Sequence, residues 1–282
     1  MKRLSSFLLT IVALLDLVIL CISFHPHIGM RLQSDSAFRA LHMSTGQGGL
    51  LRTAMRVSSL EKSINFYTSC LGMKLVSHDS NKKCARIGCD DKGTCIDLVE
   101  NSKTTTLLLG DAFLGFGLSR VDAASVLCSA QASGGKIVTD ISDFAYAASL
   151  IPDEDEMKTT PVRYGAISDP DGHRIEVHEG DRDSFMKSIL KVLDLEESID
   201  YYERIGCKLL RKRSNVMGIP KQASLCAYVG GESEEEPYIE LVYPYATTKL
   251  DMGNSLIEVA VKGVPKVENS KIDPNGYSIE IC

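Results

Sequence analysis

Four carboxylates recur at matching places in two repeated sequence patterns. Asp97 and Glu240 each take the second position of an Ile-acid-Leu-Val run, and Glu176 and Glu280 each follow an Asp-Pro-x-Gly turn motif. Carboxylates can hold a hard cation such as Mg or Mn, and they can also move protons in general acid-base reactions. These acids are therefore candidates for a cation site or for proton transfer.

A sequence repeat supplies the elements that position these acids. The stretch that begins at Val57 recurs from Val192, and its apolar residues have the spacing of an amphipathic helix. Ser59 and Asp194 are placed to cap the two helices, and a glycine follows each helix. Each helix lies between one alternating strand and three short strand-like runs, so the unit reads β-α-β-β-β.

The first copy contains a second unit, with a strand near 115–121 and a helix over 122–133. Three more strand-like runs complete this unit, near 137, over 162–167 and over 174–178. The second copy lacks about 39 residues that correspond to that helix and to two strands. The sequence therefore predicts an α+β fold of tandem βαβββ modules in two domains, 50–182 and 183–282, with the second domain truncated and short of one covering helix.

The first 49 residues have the composition of a removable presequence. Residues 1–23 combine basic residues, an apolar run and small residues near 23, as a signal peptide does, and the apolar run is shorter than the roughly 20 residues of a membrane span. Residues 24–49 carry Arg31 and Arg39, several serines and a single acidic residue, a composition typical of transit peptides. We predict delivery to a plastid through this two-part presequence, with the secretory pathway as the alternative and no permanent membrane association after processing.

Net charge and cysteine spacing narrow the class of protein. The formal net charge of -6 argues against a nucleic-acid-binding surface. The nine cysteines form no CxxC pair, and several fall in apolar, strand-like runs, which predicts buried thiols in a reducing compartment. These are Cys84, Cys89, Cys95, Cys207 and Cys226.

The motifs together resemble the glyoxalase I (lactoylglutathione lyase) pattern of the vicinal-oxygen-chelate superfamily, in the fused two-domain form found in plants. The resemblance covers residue 50 to the C-terminus and rests on residues 56–75, 96–101, 134–136, 169–172 and 239–243. It implies curved sheets that form a cleft, sites built between domains, and a divalent metal, usually Ni, Zn, Co or Mg. The implied reaction is isomerisation of the glutathione-methylglyoxal hemithioacetal to S-lactoylglutathione through an enediolate.

The resemblance assigns each metal-ligand position of the family to one residue of this sequence. The first site falls on Arg52, Asp97, Glu258 and Glu280, and the second on Lys187, Glu240, Gly115 and Glu176. The resemblance gives Glu280 or Glu176 the role of proton carrier, and it makes Asp97, Glu258, Glu280 and Glu240 the remaining acidic ligands.

No histidine occupies any of these positions, and each site contains a cation instead. A guanidinium or ammonium group has no lone pair to donate to a metal. We therefore predict ion pairs of Arg52 with Asp97 and of Lys187 with Glu240 where the metal would sit. The alternatives are one divalent metal, with Mg or Mn suited to the carboxylates, or none.

Arg56 and Asn101 match family residues that contact glutathione, so the predicted partner is a glutathione adduct. A homodimer is compatible with this interpretation. His178 is interpreted as a lone surface histidine, while His78 and His173 receive no role. The alternative to a lyase is a degenerate relative that binds a small molecule or a partner without metal; a dioxygenase or isomerase of different chemistry is a weaker third.

Overall fold

The computed structural model describes residues 48–89, 93–102, 104–145, 161–215, 224–245, 247–263 and 271–282. The predicted signal peptide and all but the last two residues of the predicted transit segment lie outside the described residues. Within the described part, no helix is long and apolar enough to cross a membrane. The described residues belong to one compact unit, Ser44–Cys282.

The described chain repeats the order strand, helix, three strands. The elements are β1 Gly49–Val57, α1 Leu60–Asn65, β2 Lys74–Asp79, β3 Cys84–Gly88, β4 Cys95–Glu100, β5 Phe113–Arg120, α2 Ala123–Ala132, β6 Lys136–Ala145, β7 Pro161–Ser168, β8 Arg174–Glu179, β9 Ser184–Lys191, α3 Leu195–Arg204, β10 Lys208–Asn215, β11 Ser224–Gly230, β12 Tyr238–Pro244, β13 Leu256–Lys262 and β14 Ile279–Ile281. The predicted α+β class is confirmed, and three modules are complete. The domain boundary at 182 stays a prediction.

The first helix of each copy begins and ends as predicted. The Ser59 side chain accepts a hydrogen bond from the backbone N–H three residues later, and the Asp194 side chain does the same at the start of α3. Gly72 and Gly206 follow the helices with φ of +65° and +107°. Because a side chain is unfavourable at positive φ, glycine lets the chain turn away there.

The helix of the first copy contains a wide turn that the second copy lacks. Residues Phe66–Cys70 continue α1 as a π-helix, and the chain from Tyr67 to Gly72 is one residue longer than the chain from Tyr202 to Gly206. A π-turn absorbs one extra residue without breaking the helix. The sequence difference between the copies therefore appears as a local widening of α1.

The strands form two sheets that both combine the two copies. The six-stranded sheet has the order β14-β13-β1-β4-β3-β2, and the eight-stranded sheet has the order β10-β11-β12-β9-β5-β8-β7-β6. Strands β1 and β9, which open the two copies, lie in the interior of their sheets. Each sheet is thus made of one module from each copy, with the C-terminal module represented by β13 and β14.

The two sheets contact each other through β1 and β9. The hydroxyls of Thr53 and Ser188, separated by 135 residues, hydrogen-bond to each other there. Met55 of β1 and Leu190 of β9 belong to one hydrophobic core shared by both sheets. Since successive side chains of a strand point to opposite faces, Arg52 and the other residues that alternate with this core lie on the outer face.

Each Asp-Pro-x-Gly turn joins two modules of the same copy. The Tyr67 hydroxyl donates to Asp169 over 2.9 Å, and the Ser58 backbone N–H donates to Asp171 over 2.9 Å. In the second copy, the hydroxyl of Tyr202 donates to Asp273 over 3.4 Å. Each sheet joins modules from both copies, whereas each Asp-Pro-x-Gly turn joins the two modules of one copy.

The shortened second copy leaves the six-stranded sheet without counterparts of β6, β7 and α2. The described residues between β13 and β14, 263 and 271–278, contain no helix. The inner-face residues Val259, Val261 and Ile279 are nevertheless buried in the shared core. The apolar surface of this shortened edge is therefore covered by the chain itself.

The prediction of buried thiols is wrong for three cysteines. Cys207 and Cys226 are buried, whereas Cys84, Cys89 and Cys95 are half-buried. Cys84 and Cys95 lie on the outer face of the six-stranded sheet, which the apolar composition of their strands did not indicate. All eight cysteines of the described residues are free thiols.

Candidate functional site

Five neighbouring strands each place one charged residue on the outer face of the six-stranded sheet. We call this set the open cluster; it consists of Glu280 (β14), Glu258 (β13), Arg52 (β1), Asp97 (β4) and Arg86 (β3). The structure brings together all four residues that were predicted for the first site and adds Arg86.

The guanidinium of Arg52 lies where three carboxylates converge. Its Nη1 is 3.2 Å from Asp97 Oδ2, and its Nη2 is 2.6 Å from Glu258 Oε1. Nη2 also donates to Glu280. Arg86 binds the other side of Asp97 with two hydrogen bonds, of 2.7 and 2.9 Å. Charge-assisted and bidentate contacts of this kind fix side chains firmly.

The open cluster is accessible to solvent. The side chains of Arg52 and Asp97 are 21% and 19% exposed, and that of Glu280 is 45% exposed. Glu280 is thus the most accessible carboxylate of the cluster and can meet a small molecule without a rearrangement of the sheet.

The predicted glutathione contacts lie further along the same face. Arg56 is four residues beyond Arg52 on β1, and Asn101 follows β4, the adjacent strand. Arg56 donates to the carbonyl of Asn254 over 2.7 Å, and Asn101 donates to the carbonyl of Thr105 over 2.6 Å. Four strand residues span about 13 Å, which is the distance along β1 from Arg52 to Arg56.

The second predicted site is closed. We call it the sealed cluster; it consists of Lys187 (β9), Glu240 (β12), Glu176 and His178 (β8) and Arg213 (β10). The Lys187 ammonium is 2.5 Å from Glu240 and 2.9 Å from Glu176, and the Arg213 guanidinium is 3.2 Å from Glu240. All five residues are buried. Two cations and two anions thus neutralise each other out of reach of solvent.

Two glycines of β5 explain how the sealed cluster packs. A Cβ on Gly117 would lie 2.9 Å from two carbons of the Lys187 side chain, so glycine provides the space for that lysine. Gly115 has a φ of +117°, and a Cβ there would lie 2.1 Å from the carbonyl oxygen of Arg174. The position that Gly115 occupies in this predicted site therefore offers no side chain to a metal.

The interpretation of His178 as a surface residue is wrong. His178 is 3% exposed, its ring stacks on Tyr164 at 5.4 Å, and its Nε2 lies 3.2 Å from Glu176. Periodicity alone could not reveal this, because β8 is covered on both faces. Burial lowers the pKa of His178, which keeps the ring neutral.

Glu176 remains charged inside the protein. Burial by itself raises the pKa of Glu176, but the Lys187 ammonium and the contact with His178 lower the pKa by more. The net pKa lies well below the usual range for a glutamate. An ionised carboxylate without access to substrate stabilises the charge network and cannot exchange protons with a ligand.

The divalent metal that the resemblance implies does not fit either cluster. Arg52 and Lys187 place positive charge at the points where the carboxylates converge, and neither group can donate a lone pair to a metal. A third group, Asp169, Asp171 and His173, is close enough to hold an ion. Its carboxylates already accept hydrogen bonds within the turn and from the start of α1, so the group is explained as a structural turn.

Sequence reasoning missed Arg86 and Arg213. Arg86 lies directly opposite Asp97 in the β3–β4 pair, and Arg213 reaches Glu240 from two strands away. The cross-strand register would have identified Arg86, since opposite charges favour facing positions. Predicting the contact of Arg213 with Glu240 would have required the strand order of the whole eight-stranded sheet.

A family comparison confirms the resemblance drawn from the sequence motifs. Residues 49–177 match the model of the Glyoxalase/Bleomycin resistance protein/Dioxygenase superfamily. This range contains the first two β-α-β-β-β modules, including Arg52, Asp97 and Glu176.

Similar proteins are named lactoylglutathione lyases, and one solved structure has a similar fold. The chain is 29% identical to a probable chloroplastic lactoylglutathione lyase of Arabidopsis thaliana over 75% of its own length and 59% of that protein. It is 26% identical to a lactoylglutathione lyase of Oryza sativa subsp. japonica, over 75% of this chain and 71% of that protein. The glyoxalase I structure from Zea mays superposes with a TM-score of 0.64 at 23% identity, over 82% of this chain and 91% of that chain. The last likeness establishes the fold.

Proposed function

We propose that this chain, whose residues 49–177 form a domain of the glyoxalase superfamily, isomerises the hemithioacetal of glutathione and a 2-oxoaldehyde such as methylglyoxal, giving S-lactoylglutathione. The observation that carries the proposal is the open cluster, in which an accessible carboxylate stands beside a guanidinium on an exposed sheet face. The names of the plant relatives support the substrate class.

The spacing of Arg52 and Arg56 suits a glutathione adduct. An extended tripeptide spans roughly 10 Å, and the two arginines lie about 13 Å apart along β1. Arg56 can bind a terminal carboxylate of glutathione at one end, because a guanidinium matches a carboxylate geometrically. The reacting carbons then lie near Arg52 and Glu280 at the other end.

The proposed proton transfer needs no oxidant or reductant. The Glu280 carboxylate takes the proton from the carbon that bears sulfur, and that electron pair forms the enediolate double bond. Arg52 stabilises the negative charge that develops on oxygen. The protonated Glu280 then delivers the proton to the neighbouring carbon. The hydroxyl proton of the first carbon passes to the oxygen on that neighbouring carbon, and the first carbon becomes the thioester carbonyl.

A lyase assay with a matched pair of variants tests this proposal. Glu280→Gln keeps the side-chain shape but removes the base, so thioester formation should fall by about 10²- to 10⁴-fold. Glu179→Gln is the control, because its exposed pairing with Arg163 lies on the other sheet, and it should retain the wild-type rate. A Glu280→Gln variant that turns over at the wild-type rate would refute the assignment.

The second candidate is a relative without turnover that binds a small molecule on the same sheet face. The specific observation in its favour is that both terminal nitrogens of Arg52 are engaged by the protein's own carboxylates. In that case the wild type shows no thioester formation but binds S-methylglutathione in calorimetry. Arg56→Ala should then abolish the binding.

We also propose that the protein acts in a plastid. The name of the Arabidopsis relative and the composition of residues 1–49 support this location. A fluorescent protein fused behind residues 1–49 should accumulate in plastids of an algal or plant cell. Accumulation in the secretory pathway would instead support the alternative.

A further inference from the structure

We infer that the Arg52 guanidinium is a built-in replacement for a metal ion, and that removing this one positive charge turns the open cluster into a divalent-metal site. The inference goes beyond the proposed function, because it concerns what holds the carboxylates together. It stands whether or not the protein turns over a substrate.

The contacts of Arg52 are those expected of a central cation. Three carboxylates from three different strands reach the guanidinium, namely Asp97 from β4, Glu258 from β13 and Glu280 from β14. Carboxylates that converge in this way repel one another unless a cation lies between them. Arg52 supplies that cation covalently, so the cluster is complete without an ion from solution.

The contacts that the carboxylates already make also keep a divalent metal out of the wild-type cluster. Arg52 and Arg86 together carry two positive charges against the three carboxylates, and Arg86 already holds both oxygens of Asp97. A dication would have to displace the Arg52 guanidinium from contacts as short as 2.6 Å. We therefore expect purified wild-type protein to hold no stoichiometric divalent metal at the open cluster.

The identity of the replacing residue should select the metal. Arg52→Gln leaves an oxygen-only set of ligands, which favours a hard ion such as Mn²⁺. Arg52→His adds an imidazole nitrogen to the three carboxylates, which favours borderline ions such as Ni²⁺ or Zn²⁺. The two variants therefore differ in the kind of ion they should bind.

Arg86 provides a matched control in the same cluster. Arg86→Gln removes the same charge from the same sheet face, yet it leaves the Arg52 guanidinium between the carboxylates. If overall charge alone governed metal binding, Arg86→Gln and Arg52→Gln would behave alike. If the position of the Arg52 guanidinium between the carboxylates governs metal binding, only the Arg52 variants should gain a metal.

The experiment is equilibrium dialysis of the four proteins against Mn²⁺ or Ni²⁺, with bound metal quantified by mass spectrometry and folding checked by circular dichroism. We expect one ion per chain for Arg52→Gln with Mn²⁺ and for Arg52→His with Ni²⁺, each with a metal-dependent rise in Tm. We expect no stoichiometric metal for the wild type and Arg86→Gln. If an Arg52 variant is unfolded without metal, refolding on addition of the ion supports the inference.

Two results would overturn the inference. One is a stoichiometric metal in the wild type that is lost in Glu258→Gln, and the other is the absence of bound metal and of metal-dependent refolding in both Arg52 variants. Neither result depends on the lyase assay. A failure of the proposed function, seen as absent turnover, can therefore be told apart from a failure here.

Discussion

Lys187 offers the most direct test of the physical account of the sealed cluster. Replacing Lys187 with Met keeps the apolar length of the side chain but removes the ammonium that contacts Glu240 and Glu176 over 2.5 and 2.9 Å. Arg213 still faces Glu240 in this variant, whereas Glu176 loses its only cationic contact among those described. One ionised carboxylate is then left buried with only the electrostatic influence of Arg174 to balance it.

The expected cost follows from that burial. Lys187 is 2% exposed and Glu176 is 8% exposed, so water cannot replace the lost interaction. Removing one partner of a buried ion pair costs about 3–5 kcal/mol in free energy of unfolding. For a chain of this size, this corresponds to a fall in Tm of roughly 6–20 °C.

Urea denaturation followed by circular dichroism measures the effect. The control is Lys208→Met, because the Lys208–Glu232 pair is largely exposed, at 40% and 58%, and should contribute no more than about 1 kcal/mol. The double variant Lys187→Met with Glu176→Gln removes one charge of each sign and should recover more than half of the loss. Equal costs for the two lysine variants, or no recovery in the double variant, would refute the reasoning.

Three further predictions concern single contacts. Gly117→Ala should lower the free energy of unfolding by about 1–3 kcal/mol, because the new Cβ overlaps the Lys187 side chain. Urea titration measures this loss of stability. Tyr67→Phe should cost about 1.5–3 kcal/mol, since the buried Asp169 carboxylate loses a hydrogen bond. Burial lowers the pKa of His178 in the folded protein. The neutral ring therefore contributes to stability above about pH 6.5, and this contribution is lost as pH falls, by up to about 1.4 kcal/mol per pH unit. In denaturation curves, the His178→Phe variant should lose less stability at acidic pH than the wild type.

Each of these predictions has a control or a contrary outcome. Tyr202→Phe removes the equivalent but longer contact of 3.4 Å to Asp273, so it should cost less than Tyr67→Phe, and the reverse order would contradict the account. A stable Gly117→Ala variant would show that the lysine can move aside. An unchanged acid slope in His178→Phe would assign the loss to Glu176 or to other carboxylates.

The repeat made most of the fold predictable from the sequence. The capping residues Ser59 and Asp194 and the following glycines fixed both copies of the first helix, because local hydrogen bonding and positive φ are set by residue type. The pairing of β1 with β13, across more than 200 residues, follows no local rule. The family resemblance implied sites built between the domains, but it did not specify this strand pairing.

The residues of the first site were predictable from the sequence, but the burial of the second site was not. The positions of Arg52 and Glu280 followed from matching motifs, and the structure brings them together. That the Lys187 cluster is closed depends on Arg213 and on buried neighbours such as Ile189 and Tyr228, which pack as a separate apolar group on that face. Burial of this kind arises from the whole sheet and leaves no local sequence signal.

The order of strands has a consequence for how the chain could be rearranged. Strands β5 to β12 make one sheet without interruption, while the other sheet needs both β1–β4 and β13–β14 and so cannot close until the last segment has been synthesised. Gly49 lies opposite Lys262, and Gly263 hydrogen-bonds to Cys282, so two distant parts of the polypeptide end up as neighbours. A circular permutant that is opened between β4 and β5, with a short linker from Cys282 to Gly48, would make each sheet from continuous chain and should fold faster than the natural order.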